Sequence, residues 1–170
     1  GAIVQSRTIL VAGDEMDAAI VSHVHRHHHV LIGERTAERV KIEIGSAQPD
    51  CGASRAHVKG RCLTRGIPRS VSLGADEVQE ALAEPIKRIV EAVREVLEQV
   101  PPELSADLLE TGIVLTGGSA LLRNLDQHIS REFGLPVSLA ENPLNSVVLG
   151  LARQLSYMRR RDWNRFRHNS

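Results

Sequence analysis

The sequence predicts an α/β fold, because short β-branched runs alternate with longer stretches of helical periodicity along the chain. A second observation is the run "TGIVLTGGSALLRNLD", residues 111–126, in which a short apolar strand leads through two glycines into a helix. A third is the placement of glycine and proline between the periodic stretches, where turns are expected. Together these observations predict alternating strands and helices without an internal repeat.

The composition predicts a soluble globular protein with an aliphatic core, since 42% of the residues are hydrophobic, 25% charged and 2% aromatic. Basic and acidic residues balance at 21 each, so the net charge gives no reason to expect a nucleic-acid partner. Two cysteines, Cys51 and Cys62, are too few for a disulfide framework. No apolar run is long enough to span a bilayer. The composition therefore favours the cytoplasm.

The N-terminal third predicts strand structure followed by two helices. Residues 2–14 predict the end of one strand and a full second strand, and we expect a fragment because an intact domain rarely begins in mid-sheet. The stretch "DEMDAAIVSHVHRHHHV" has helical spacing with Asp14 as its N-cap, and residues 31–33 interrupt it. The stretch "ERTAERVKIEIG" predicts a second helix that ends at Gly45.

The rest of the chain predicts small strands and then a series of helices. Residues 46–73, rich in glycine and proline, predict two or three short strands. Helical periodicity runs from 75 to 100, where Pro85 is expected to kink or divide the helix because proline has no backbone donor. Beyond Pro102 the pattern predicts a helix at 103–110, a strand at 113–116, a helix at 124–133, a strand at 135–142 and a helix at 146–158.

The glycine pair Gly117–Gly118 has two interpretations. Glycines between a strand and a helix make a tight turn, or they let a ligand approach the backbone near the positive end of the helix. The run matches neither the dinucleotide fingerprint nor the phosphate loop with its lysine. The motif by itself therefore leaves both interpretations open.

Longer motifs carry a resemblance to a known family. They are "VAGDEMDAAI", "LIGERTAERVKIEIGSA", "EALAEPI", "PPELSADLLETGIVLTGGSALLRNLD" and "GLPVSLAENP". In this order and at this spacing they closely resemble the MreB family of rod-shape-determining bacterial actins, from about Ile3 to Leu155. The resemblance implies the second half only of an actin-like ATPase fold, which is ribonuclease H-like. It implies a larger lobe at residues 1–13 plus 89–158, a smaller α+β lobe at 14–88 inserted in it, and a basic tail at 159–170.

The resemblance also implies a site for the adenosine of ATP. The family uses the glycine turn as the floor of the adenosine site and the "TAERVKIE" helix as its opposite side. The residues that match are Glu38, Arg39, Val40, Lys41, Gly117, Gly118, Ser119, Ala120 and Leu121. Ser119 replaces a third glycine that the family usually has. By resemblance Glu38 would accept hydrogen bonds from the ribose or purine, and Lys41 would lie against the base at the pocket edge. The alternative is a solvated ion pair between the two, three residues apart on one helix face.

Phosphate and metal chemistry is expected elsewhere in the family. The resemblance places two glycine-rich phosphate loops, and most residues that hold Mg²⁺ and position water, in the half that this sequence lacks. We therefore expect Mg²⁺ only together with that half, and the resemblance leaves ATP hydrolysis by this chain undecided. Asp14 and Glu15 are interpreted as favourable charges at a helix N-terminus rather than as metal ligands.

Two further clusters are conspicuous. The run "HVHRHHH", residues 23–29, could offer two imidazoles on one helix face, but a stable site needs further ligands that the sequence does not supply, so we expect no metal. The tail "YMRRRDWNRFRHNS" combines five arginines with three aromatic residues. It could contact anionic lipid or nucleic-acid phosphates, or remain a solvated tail.

The resulting hypothesis is a fragment of an ATP-dependent, filament-forming cytoskeletal protein that determines rod shape by organising cell-wall synthesis. Its expected partners are other subunits stacked head to tail, cell-shape and wall-synthesis membrane proteins, and anionic membrane through the basic tail, with no nucleic acid. Its expected location is the cytoplasm at the inner face of the membrane. The alternatives are a non-polymerising remnant, a specialised organelle-positioning actin, or half of a chaperone or sugar-kinase type ATPase.

Overall fold

A computed structural model of the chain describes residues 5–9, 13–49 and 54–153. The helices are α1 (Gly13–His28), α2 (Glu34–Ile44), α3 (Ala75–Glu98), α4 (Pro102–Thr111) and α5 (Leu125–Phe133). The strands are β1 (Val30–Leu31), β2 (Arg55–Cys62), β3 (Pro68–Gly74), β4 (Ile113–Leu115) and β5 (Val137–Leu139). A short 3₁₀ turn spans Gly118–Leu121, and residues 146–153 are helical.

The first sheet is antiparallel with the strand order β1-β2-β3. In β2 the buried residues alternate with exposed ones, as expected when one face of a sheet packs on a core and the other meets water. Ala56 and Val58 of β2 pair with Leu73 and Val71 of β3, and all four side chains are buried. The hairpin therefore presents its aliphatic face to the helices.

The three longest helices cover this sheet and form the core. In α1, Met16, Ile20 and Val24 are each at most 1% exposed, and their spacing of four residues places them on one helix face. They pack with Val40 of α2 and Leu82 of α3 in a continuous aliphatic cluster. That cluster extends to Leu122, Leu125 and Ile129, in the segment that connects β4 to β5.

The second sheet contains β4 and β5, which pair in parallel and are joined through α5. Parallel strands need such a crossover connection, and the glycine turn is its first part. Gly112, before β4, has a φ of +68°, and a Cβ there would lie 2.1 Å from the carbonyl oxygen of Pro136. Only glycine fits between these two chain segments.

The structure confirms the strand and helix order of the α/β prediction and corrects several of its details. β1 was not expected, because two residues carry no periodicity. Residues 5–9 form no strand, and the remainder of the predicted N-terminal strand structure extends into 1–4 and 10–12, outside the described residues. The helix α1 begins at Gly13, so Asp14 lies within its first turn rather than at the cap. Pro85 does not divide α3, which continues through it as one helix of 24 residues.

Gly45 follows α2 as predicted, but for a different reason. Its φ is −67°, so no left-handed conformation is involved. A Cβ on Gly45 would lie 2.3 Å from the carbonyl oxygen of Lys41, and the glycine is required by this close approach.

None of the described helices has the length and apolar character needed to cross a membrane. The proposed lobe boundaries at residues 13, 88 and 158 remain predictions. The basic tail at 159–170 and the end of the last predicted helix, 154–158, lie outside the described residues.

Candidate functional site

A cleft of about 550 Å³ opens between α2 and the glycine turn, a size within the usual range of small-molecule sites. It is lined by residues from α1, from α2, from the turn and from the segment after β5. The lining residues are Gly13, Asp14, Met16, Asp17, Glu38, Lys41, Ile42, Gly118, Ser119, Leu121, Leu122, Arg123 and Leu144.

One wall of the cleft is held by a buried ion pair between two helices. Lys41 Nζ of α2 lies 2.9 Å from Asp17 Oδ1 of α1, and their side chains are only 14% and 10% exposed. The same ammonium donates a hydrogen bond of 3.1 Å to the carbonyl oxygen of Gly13. Lys41 therefore turns inward, deeper than its predicted place at the pocket edge.

The opposite wall is the glycine turn, in which the two glycines have different roles. Gly117 has a φ of +89°, a backbone conformation that is unfavourable for residues with a Cβ. Its N–H donates a hydrogen bond of 2.8 Å to the carbonyl oxygen of Pro143. Gly118 has no positive φ, and a Cβ there would make only an ordinary contact of 3.5 Å with Leu144. The backbone conformation thus explains Gly117, whereas at Gly118 the missing side chain leaves room in the cleft.

The two walls are joined at their far end by hydrogen bonds. The Arg123 side chain donates to the carbonyl oxygen of Gly45 over 3.1 Å, and the N–H of Ala47 donates to the Arg123 carbonyl over 2.8 Å. The amide of Asn124 donates to Ser46 Oγ over 3.1 Å. These bonds connect the end of α2 to the end of the glycine turn and fix the separation of the walls.

The chemistry of the cleft differs from its inner end to its rim. Lys41 and Asp17 place opposite charges at the inner end. At the rim Ile42, Leu121 and Leu144 are 72%, 50% and 68% exposed. Large aliphatic side chains that are exposed around a concave site can cover a flat apolar ring, while the polar groups below orient it. The cleft therefore combines an aliphatic rim with a charged inner end.

The structure brings together five of the nine predicted site residues. Glu38 and Lys41 line one side of the cleft, and Gly118, Ser119 and Leu121 line the other. The remaining four, Arg39, Val40, Gly117 and Ala120, do not line it.

These four residues have structural positions. Arg39 donates hydrogen bonds to Glu43 and to the carbonyl oxygen of His57, on the hairpin side of α2. Val40 is fully buried, Ala120 is 6% exposed, and Gly117 shapes the turn. The alternative ion pair between Glu38 and Lys41 does not form, because Lys41 pairs with Asp17.

Asp17 and Leu144 are cleft residues that sequence reasoning missed. Asp17 had a detectable signal, since a carboxylate three residues before Ile20 and seven before Val24 lies on the buried face of α1. A charge in that position must have a partner. Leu144 had no such signal in the sequence. It lies at the cleft because the N–H of Gly117 and the hydroxyl of Thr116 donate to the carbonyl oxygen of its neighbour Pro143.

The histidine run lies at the C-terminal end of α1, whereas the cleft is lined by the first turn of that helix. The rings of His23 and His27 stack with centroids 4.2 Å apart, and burial together with the neighbouring His27 lowers the pKa of His23. His28 Nε2 is 2.8 Å from Glu77 Oε1. Burial raises the pKa of Glu77, but hydrogen bonds from Gly74 and His28 outweigh it and give a net lowering. In the part of the chain that the structure describes, no three His, Cys, Asp or Glu residues are grouped to hold a metal ion.

Sequence comparison identifies relatives over nearly the whole chain. Residues 1–162 match the family model described as MreB/Mbl protein. The cell shape-determining protein MreB of Escherichia coli (strain K12) is 49% identical over 153 residues, which are 90% of this chain and 44% of that protein. The cell shape-determining protein Mbl of Bacillus subtilis (strain 168) is 43% identical over 158 residues, 93% of this chain and 47% of that protein. The chain thus spans a little under half the length of these relatives.

Structural comparison agrees with the sequence. The crystal structure of MreB5 of Spiroplasma citri bound to AMPPNP superposes with a TM-score of 0.91 at 34% identity, covering 96% of this chain and 49% of that one. A MamK double helical filament matches with a TM-score of 0.66 at 23% identity, covering 81% of this chain and 42% of that one, which shows the fold alone. The predicted actin-like fold is confirmed, and the chain belongs to the MreB/Mbl family, whose relatives named here are cell shape-determining proteins.

Proposed function

We propose that this chain supplies the adenosine-binding half of an ATP-dependent, actin-like filament protein that determines rod cell shape by organising cell-wall synthesis. The observation that carries the proposal is the cleft between α2 and the glycine turn, in which Gly118 leaves space that neither the backbone nor packing requires. The similarity to an MreB5 bound to AMPPNP, and to the same protein bound to ADP, supports a nucleotide as the ligand.

In this proposal the purine lies between the aliphatic rim and the backbone of Gly118. Glu38, which is exposed at the mouth of the cleft, accepts hydrogen bonds from the ribose or the purine. Lys41 and Ser119 meet the ligand from opposite sides at the inner end, where Ser119 Oγ and Lys41 Nζ both lie near Gly13. A serine fits in place of a third glycine because its side chain is short and polar.

The experiment is calorimetric titration of ADP, ATP and adenosine into the 170-residue chain and into Gly118→Val. We expect micromolar binding by the unchanged chain, and a loss of at least about tenfold in Gly118→Val because its side chain occupies the cleft. The matched control is Gly33→Val, since Gly33 has an extended backbone and no atom within 4 Å of an added Cβ. Equal affinities of the two variants, or no binding by the unchanged chain up to millimolar nucleotide, would contradict the proposal.

We also propose that subunits associate head to tail, which the MamK filament supports for the fold. The hairpin at residues 54–74 carries exposed cations and no carboxylate, whereas α4 carries exposed carboxylates and no cation. They are Arg55, Lys59, Arg61, Arg65 and Arg69 on the hairpin, and Glu103, Asp107 and Glu110 on α4. Opposite charges on two different surfaces of one chain favour a heterologous contact, which propagates instead of closing.

Charge reversal tests this contact. Arg65→Glu should reduce sedimentable assemblies, Glu110→Arg should do the same, and the two variants mixed or combined should recover part of the loss. The control is Lys87→Glu, because Lys87 is exposed on α3 outside both surfaces. Reductions of similar size in all three single variants would point to net charge alone.

The remaining proposal concerns location. We propose a cytoplasmic polymer at the inner face of the membrane, in contact with cell-shape and wall-synthesis membrane proteins and with anionic lipid through the arginines of residues 159–167. Cosedimentation with anionic vesicles, compared between the full chain and a chain that ends at residue 158, tests the lipid contact. Binding that persists without the tail would exclude this segment as its source.

A further inference from the structure

Asp17 is a carboxylate on the buried face of α1. The residue is 7% exposed, next to the fully buried Met16 and one turn before Ile20. A buried charge is costly unless it has a partner, so a carboxylate in this position requires a compensating group. That group is Lys41, which lies on a different helix.

The contact between Asp17 and Lys41 is electrostatic. Asp17 Oδ1 is 2.9 Å from Lys41 Nζ but accepts no hydrogen bond of good geometry within the described structure. The ammonium gives its hydrogen bond to the carbonyl oxygen of Gly13, and all three residues line the cleft. Lysine has three donors, and a single hydrogen bond to Gly13 leaves capacity for a ligand.

Without a counter-charge this ammonium would not stay at the inner end of the cleft. The lysine side chain is a flexible four-carbon stem with a strongly hydrated head, and it turns to water wherever it can. α2 is solvent-exposed on both sides of Lys41, at Glu38 and at Ile42, so water is within reach of the stem. Asp17 is the anion that opposes this movement.

We propose that Asp17 is a positioning residue for the nucleoside site, which fixes Lys41 Nζ beside Gly13 so that a ligand meets an ammonium already in place. The inference rests on the proposed function, because it assigns a role within the same cleft. It requires no contact between Asp17 and the ligand. Its consequence is that the effect of Asp17 on nucleotide affinity passes through Lys41.

The first test measures how readily the amine of Lys41 reacts in the absence of a ligand. The chain has three lysines, Lys41, Lys59 and Lys87, so reductive methylation followed by peptide mass spectrometry resolves each one. We expect Lys41 to react more slowly than the two exposed lysines, and Asp17→Asn to accelerate Lys41 by about tenfold while leaving the others unchanged. The matched control is Glu91→Gln, which removes the partner of the exposed Lys87, 3.8 Å away, and should change the rate at Lys87 little.

The second test is calorimetric titration of ADP. We expect Asp17→Asn to weaken ADP binding by about tenfold, and Asp17→Glu, which retains the charge, to remain within about threefold of the unchanged chain. In a Lys41→Met background the same Asp17→Asn change should have no further effect, because the residue it positions is gone. A purely structural role would not give rescue by glutamate together with this dependence on Lys41.

Several outcomes overturn the inference. Unchanged methylation of Lys41 in Asp17→Asn shows that Asp17 does not hold it, and unchanged ADP affinity shows that its position is irrelevant to binding. If Asp17→Asn fails to fold by circular dichroism, Asp17→Glu decides. A loss of ADP affinity in Asp17→Glu while Lys41 stays protected from methylation counts against positioning. If the unchanged chain binds neither ADP nor adenosine, the proposed function fails, and the role of Asp17 in nucleotide affinity fails with it. The methylation result is independent of nucleotide binding and tests only whether Asp17 holds Lys41 in place.

Discussion

Residues 13–90 and residues 102–153 bury their apolar side chains to very different extents. The first region holds most of the core, from Met16 to Val90, around one face of an antiparallel sheet. In the second region α4 has no buried residue. Large apolar side chains are exposed there at Leu104, Leu109, Val114, Leu121, Leu139, Leu144, Val147, Val148, Leu149 and Leu151.

The difference shows that the first region is stabilised by packing among its own side chains. The second region leaves apolar side chains exposed that another molecule could cover. Exposed apolar side chains that follow one another closely, as at residues 147–151, are typical of interaction surfaces. The candidate site takes Lys41 from the first region and Gly118 from the second. A ligand bound there would therefore connect the well-packed region to the open one.

The largest expected contrast is between two leucines. Leu82 in α3 is fully buried, and Leu82→Ala should lower the free energy of unfolding by about 2–5 kcal/mol because it leaves a cavity. Leu109 in α4 is 66% exposed, and Leu109→Ala should change it by less than about 0.5 kcal/mol. Urea denaturation followed by circular dichroism measures both. Similar losses would show that α4 packs as tightly as α3.

A smaller effect is expected in the glycine turn. Gly117→Ala should destabilise the protein by about 1–2 kcal/mol, because its φ of +89° is unfavourable for a residue with a Cβ. Gly33→Ala serves as the control, since its backbone is extended and its surroundings are open. If thermal melts show the same small change for both, the backbone of the turn adjusts to the added Cβ, and the positive φ is not required.

The pH dependence of stability should come from the first region. Because the pKa of folded His23 is below its ordinary value of 6.5, the unfolded chain takes up this proton first. The contribution of neutral His23 is thus complete above that ordinary value and is lost as the pH falls through it towards the folded pKa. The groups around it are His27 and His28 on α1 and Glu77 and Glu80 on α3.

His23→Gln should therefore flatten the loss of unfolding free energy between about pH 7 and pH 5, by less than about 1 kcal/mol. The control is His25→Gln, an exposed position on the same helix. Glu77, with its lowered pKa, acts in a more acidic range, since its contribution is lost only as the pH falls below the ordinary carboxyl value. Identical pH profiles of unfolding free energy for His23→Gln and the unchanged chain would show that His23 does not cause the pH dependence.

The smallest effect is expected at the surface of α2. Arg39 and Glu43 form an exposed ion pair of 2.8 Å, and Glu43→Gln should cost about 0.3–0.5 kcal/mol at low salt and less at high salt. Denaturation at two salt concentrations measures it. A loss that is larger and insensitive to salt would mean that Arg39 matters through its hydrogen bond to the carbonyl oxygen of His57 instead.

Much of the fold could be predicted because its helices have strong periodicity. The helix α1 is predicted by the spacing of its apolar residues and the hairpin strands by the glycines and prolines between them, which are local properties. The strand β1 could not be found, since Val30 and Leu31 become a strand only by pairing with Cys62 and Arg61. Pro85 does not divide α3, and the helix is buried on both sides of it, at Leu82 and Ile86, which favours continuation despite the lost hydrogen bond.

The family resemblance indicates which two segments form the walls of the candidate site. It gives no indication of the ion pair between Asp17 and Lys41 at the inner end. Motifs indicate which segments meet, but not how far a side chain reaches. The family resemblance predicts Lys41 at the rim, and only the packing of α1 against α2 shows that Asp17 draws it inward. Tertiary contacts of this kind have no signature in a single sequence.

The hydrogen bonds from Arg123 and Asn124 to the end of α2 have a consequence for recognition. Since they tie the glycine turn to that helix in the absence of a ligand, the proposed nucleotide site would have a preset width, and little conformational entropy would be lost when it fills. Discrimination between nucleobases would then depend on shape at a rigid slot. Association should accordingly be rapid and nearly independent of any slow rearrangement of the chain.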